Sequence, residues 1–94
     1  MKLLKILGYI YTLDASKSID DMGGNVGFCD LDKKLMRVAN DVDKDVRNST
    51  LLHEIIEAIN YHLELNLEHH KIMALEVGLH QTLTDNGVDL GLLL

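Results

Sequence analysis

The stretch Ser49-Thr50-Leu51-Leu52-His53-Glu54-Ile55-Ile56-Glu57-Ala58-Ile59-Asn60 decides how this chain is read. Its period is helical. Leu51, Leu52, Ile55, Ile56, Ala58, Ile59 and Leu63 gather in one broad arc of a helical wheel, while His53, Glu57, Asn60 and Glu64 gather opposite. One face is for a core and the other for water or a metal. Each residue turns the helix by about 100°, so position i+4 returns almost above position i. His53 and Glu57 therefore share a face, and Glu54 stands one residue to the side.

Downstream, Glu64 to Leu67 breaks the period, and a second helix is expected from Glu68 to Asp85, with Ile72, Leu75, Leu79 and Leu83 on one stripe and Asn86-Gly87 as its stop. The two helices can pair as a hairpin. Residues 87–94 form an apolar tail, expected to fold back onto the helices or to make the contact of a homodimer. Upstream, the polar stretch Asn40 to Asn48 ends in Asn48, Ser49 and Thr50, any of which can cap the first helix. Lys2 to Asp14 reads as a β-hairpin turning at Gly8, and Ala15 to Asn25, with Gly23-Gly24, as a connecting loop. Val26 to Cys29 and Leu35 to Ala39 read as two more strands joined by a turn at Asp30 to Lys34. The expected fold is α+β: one domain over 1–94, with a small, mostly antiparallel sheet in 1–40 packed on a two-helix hairpin in 48–86.

Ninety-four residues leave room for one modest core. Nine basic against fifteen acidic side chains give a net charge of −6 with no basic cluster, which argues against nucleic acid as a partner. The single Cys29 cannot form an intrachain disulfide, which fits a reducing, cytoplasmic setting. No stretch has the ~18 apolar residues of a membrane helix, and Gly8, Tyr9, Tyr11 and Thr12 interrupt the apolar run that follows Lys2 and Lys5, so a secretion signal is not expected.

His53-Glu54-Ile55-Ile56-Glu57 has the spacing of the HExxH helix of zinc peptidases, with a glutamate in place of the second histidine. Catalytic zinc takes three His or carboxylate ligands and keeps one position for water. His53 and Glu57 supply two such ligands, and amphipathic helices also place such a pair on their wet face by chance. A third must come from the second helix, where His69, Glu76 and His80 lie near one edge of the apolar stripe while His70 points away. Glu76, nineteen positions after Glu57, is level with it in a strictly antiparallel hairpin, at about 1.5 Å of rise per residue. His69 meets the site only if the helices cross at a large angle.

The order of the strands, Gly27-Phe28-Cys29-Asp30, Thr50 to Ile59, then Leu75, Gly78-Leu79, Gln81 and Asp85-Asn86, resembles the small zincin-like proteins of phages and prophages, minimal relatives of the ImmA/IrrE-type metallopeptidases. The resemblance covers most of the chain. It implies a zincin-like fold, a zinc ion and peptidase activity, with Glu54 as general base. Two positions depart from the family pattern: Glu57 stands where the family has its second histidine, and His69 where it usually has a glutamate at the start of the second helix. Taken together they read as a swap, which makes His53, Glu57 and His69 the expected metal ligands, with Glu76 the alternative third.

Three functions follow as expectations. The first is a zinc-dependent metallopeptidase acting on a peptide or protein, with Glu54 taking the proton of a metal-bound water, Tyr61 near enough to serve an oxyanion, and a strand of the sheet aligning the substrate. The second is a non-catalytic zincin-fold module that binds a protein. The third is a metal-free αβ domain whose partner is another protein, for example a host regulator. In a phage setting, each would act in the host cytoplasm.

Overall fold

The strand runs of the N-terminal part alternate apolar and polar side chains, and the sheet they build has one face against a helix and one bare. In the computed structural model, which describes residues 1–94, β1 (Lys2–Ile6) and β2 (Tyr9–Asp14) pair antiparallel, from Ile6 opposite Tyr9 to Lys2 opposite Leu13. Leu7 and Gly8 join them, both at positive φ, 52° and 84°. That is the two-residue turn whose twist matches a hairpin, and glycine takes its second position without strain. After the loop, which holds a 3-10 turn at Asp20–Met22, β3 (Gly27–Asp30) and β4 (Leu35–Val38) form a second antiparallel hairpin. The hairpins join along a parallel seam, Thr12 beside Leu35, Leu13 beside Met36 and Asp14 beside Arg37. The sheet order is β1-β2-β4-β3, mostly antiparallel, with β1 and β3 at its edges.

Helix α1 (Lys44–His62) lies on the inner face, and helix α2 (His69–Asp85) packs against α1. Ile6, Tyr11, Leu13, Met36 and Val38 of the sheet meet Leu51 and Ala58 of α1 in the main core, with Ile55 and Ile59 beside them. The outer face keeps Leu3 and Ile10 exposed. Buried Tyr11 satisfies its hydroxyl at 2.6 Å from the His62 Nε2, and burial pushes its phenol up from the ordinary value. Leu52 and Ile56 of α1 meet Ile72 of α2 in a smaller cluster.

Two features differ from expectation, the start of α1 and the buried face of α2. Helix α1 begins a turn before Asn48, because the Asp43 carboxylate accepts from the Val46 N–H at 2.9 Å and caps it there. Asn48, Ser49 and Thr50 lie inside the helix. The expected stripe of α2 is also rotated: Ile72 is buried and Leu83 packs on the smaller cluster, but Leu75 and Leu79 are 44% and 43% exposed. The line between Ile72 and Leu83 runs through Glu76 and His80, the other partly sheltered residues of that helix after Ile72. Of the two fates open to the tail, the structure shows the fold-back. Asp89 accepts from Asn48 Nδ2 at 2.8 Å and from the Gly91 N–H at 2.9 Å, with Lys44 and Arg47 each at 3.4 Å, and Leu90 and Leu94 pack against the core. The hydrogen bond from Asn48 leads the contacts that hold the Asp89 carboxyl below the ordinary carboxylate range. No helix is long and apolar enough to cross a membrane.

Candidate functional site

The polar face of α1 reaches its neighbours on two sides. On the sheet side α1 crosses the edge strand β3 at Gly27, where a Cβ would stand 2.4 Å from the Thr50 Cγ2 and 3.6 Å from the Glu54 Cδ. Only glycine lets helix and strand approach this closely. Glu54 is consequently buried, 8% exposed. Burial pushes its carboxyl up to about 7; the neighbouring His53 opposes the rise, and Glu57 and Glu76 add to it. The same loss of water pushes the half-buried Cys29 thiol on β3 up to about 12, with Glu54 and Glu57 adding to that shift.

On the other side α1 meets α2. The Glu76 carboxylate faces the His53 Nδ1 at 2.7 Å through Oε1 and accepts from the Ser49 hydroxyl through Oε2. Ser49 and His53 are one turn apart on α1, so a single carboxylate from α2 spans both. When Glu76 is ionised it can only accept, so Nδ1 carries the imidazole proton and the Nε2 lone pair is left for a proton or a metal. The His69 ring stands edge-on to the His53 ring, centroids 5.7 Å apart. This contact and the Glu76 pair bring both third-ligand candidates to His53. Glu76 is level with Ser49 and His53, a turn away from the Glu57 level expected of a strictly antiparallel hairpin. His80 lies farther along, with Nε2 at 4.0 Å from Asp45, and His70 pairs with Glu68 at the surface.

Glu57 turns toward a different space. It lines a cavity of about 760 Å³ at the C-terminal end of α1, together with Tyr9, Leu31, Asn60, Tyr61, His62, Glu64 and Asn66. Tyr61 stands there, edge-on to His62 at 5.2 Å, and no hydrogen bond ties it to His53.

Nowhere do three or more His, Cys, Asp or Glu side chains stand together so as to hold a metal ion. The residue types are ones zinc takes, His53 and His69 as imidazoles and Glu57 as a carboxylate, but the three are not assembled here, Glu57 lining the separate cavity while Glu76 sits on His53 Nδ1, where an orienting carboxylate can sit. Ser49 went unread in the sequence as a site residue because it resembles a cap. Its spacing, four residues before His53 and eight before Glu57, was the available signal. Set against protein-family models, curated proteins and solved structures, the chain finds no match.

Proposed function

We propose that the protein is a zinc-dependent peptidase of minimal zincin type, akin to the small phage and prophage relatives of the ImmA/IrrE-type metallopeptidases, acting in the host cytoplasm. The observation that carries this reading is the hydrogen-bonded Ser49–Glu76–His53 chain between the helices, with a buried carboxylate, Glu54, next to the histidine it orients. His53, Glu57 and His69 would hold the ion, and Glu76 orients His53. Bound zinc supplies Lewis acidity and lowers the pKa of water to about 7. Glu54, in its dry position against β3, accepts a proton from the attacking water on a carboxylate oxygen and returns it to the nitrogen of the leaving amine. β3 is an edge strand, so an extended peptide added to it would lie alongside the helix that carries Glu54.

The test is zinc content by elemental mass spectrometry, together with cleavage of a mixture of unfolded peptides. About one equivalent of zinc, lost in His53→Ala, and cleavage lost in Glu54→Gln with zinc retained, is the expected result. Cleavage that survives Glu54→Gln would remove the mechanism. A second reading is favoured by one observation, that the three ligand candidates are not gathered into a metal-holding group. On it the chain is a non-catalytic zincin-fold module that binds a protein, with or without a structural metal, and it cleaves nothing.

A further inference from the structure

The cavity at the end of α1 is lined mostly by acidic, amide and aromatic side chains. Its eight lining residues include two carboxylates, Glu57 and Glu64, two side-chain amides, Asn60 and Asn66, two tyrosines, and no lysine or arginine. The cavity also sits where α1 ends, and the C-terminal end of a helix carries about half a negative charge. Residues 41–94, which include both helices, hold three basic and ten acidic side chains, a net of −7, whereas residues 1–40 hold six and five, a net of +1. Acidic side chains thus outnumber basic ones in the half of the chain that supplies six of the eight lining residues.

One wall is rigid. The His62 ring stacks on Tyr9 at 3.9 Å with 8° between the planes, stands edge-on to Tyr11, and is hydrogen-bonded to the Tyr11 hydroxyl. On Tyr9, Lys34 already places its Nζ 5.5 Å from the ring centroid. Tyr61, 51% exposed, is the other aromatic ring that lines the space. A volume of about 760 Å³ is far more than an ion needs. The Asn60 amide oxygen already accepts from the Leu67 N–H at 2.9 Å, and the carboxylates and the Tyr61 ring around the space match a cation on an aliphatic stem, whose head is attracted by charge and by the ring while its methylenes lie on Leu31 and the tyrosines. Glu57 belongs to both this cavity and the HExxE helix, so the space opens one turn along α1 from His53 and Glu54.

We propose that the cavity at the end of α1, with Glu64 and the Tyr61 ring as the groups that meet the charge and Glu57 at the side toward His53, is a subsite for one basic side chain, lysine or arginine, of a bound peptide. It rests on the peptidase reading only in taking the cation to be part of a peptide. The shared chemistry is an alkyl ammonium or guanidinium, and a free amine is the other source.

The experiment is an amide-shift titration of the ¹⁵N-labelled full chain in the presence of a chelator, so that neither zinc nor turnover enters. The probes are Nα-acetyl-lysine methylamide, the arginine analogue, the norleucine analogue of the same stem length, and 1,5-diaminopentane. Saturating shifts at Tyr9 and residues 57–66 with lysine and arginine, at least about fivefold tighter than with norleucine, are expected. Glu64→Gln and Tyr61→Leu should each weaken lysine binding roughly twofold to fivefold, the worth of an exposed ion pair or cation–π contact, without moving the melting temperature. Equal binding of norleucine, shifts elsewhere, or no loss in both variants would overturn the subsite. Diaminopentane binding as tightly as blocked lysine would overturn the peptide assignment in favour of a free amine. A zinc peptidase without preference for basic residues would sink this proposal alone, and lysine binding by a chain that cleaves nothing would sink only the peptidase.

Discussion

The two helices are close in length, 19 and 17 residues, yet α1 buries six side chains and α2 buries Ile72 alone. The difference follows from their neighbours. α1 is pressed between the sheet and α2, and its Leu51 is fully buried. α2 lies outside it and touches the core through Ile72, Leu83 and the polar group Glu76. One half of the candidate site is therefore built on a fixed element. The other half hangs on a helix held by Ile72, Leu83 and one carboxylate, and a helix with so few buried contacts is the natural place for adjustment when a ligand arrives.

The comparison can be broken most sharply in α1. Leu51→Ala should cost about 2–5 kcal/mol in urea unfolding, because the hole lies between sheet and helix and neither can close it; a loss under 1 kcal/mol would mean that α1 is no better fixed than α2. Glu54→Gln should act in the opposite direction. The folded-state pKa of Glu54, about 7, lies above its ordinary 4.5, so the folded chain holds the extra proton between these values. The stability linked to that proton is complete below 4.5 and is lost as pH rises through 7. Glutamine has no charge to bury, and the variant should be more stable than the wild type above pH 7, by at most about 3 kcal/mol, with the gap closing below pH 4.5. Parallel stability curves across that range would contradict the burial of Glu54.

Smaller effects sharpen the account of α2. Ser49→Ala removes one hydrogen bond to Glu76 and should cost about 1 kcal/mol; a double-mutant cycle with Glu76→Gln should return a coupling of about 0.5–1.5 kcal/mol. Zero coupling would mean that this carboxylate does not set the helix. Leu75→Ala, on the exposed side, should stay within about 0.5 kcal/mol by thermal melting. A larger cost would show that this face is covered in solution.

Much of the fold is legible locally. The hairpin at Gly8, the second hairpin and both helices follow from turn chemistry and apolar period, which depend on neighbours within a few residues. The start of α1 is less so, since Asp43, Asn48, Ser49 and Thr50 are all competent caps, and Asp43 takes the role through the Val46 N–H while Asn48 donates to Asp89, 41 residues away. The face of α2 was misread for a related reason. Period alone favours Leu75 and Leu79 as the inward residues, but the bond of Glu76 to Ser49 and His53 turns a polar line inward. The grouping of His53, Glu54 and Glu57 on one helix needed only their spacing. The separation of Glu57 from the Glu76 pair, and its place in the cavity with Tyr9 and Tyr61, required the register of two elements.

By itself the sequence determined the α+β class, the order of the elements and the placing of His53, Glu54 and Glu57 on one helix, because period, turns and spacing are set along the chain. The tertiary structure alone decided the parallel seam between the hairpins, the burial of Glu54 beneath Gly27, the fold-back of the tail and the choice of Glu76 to hold His53. Each of these depends on which surfaces meet and at what register, and that is settled by packing between residues far apart in the chain.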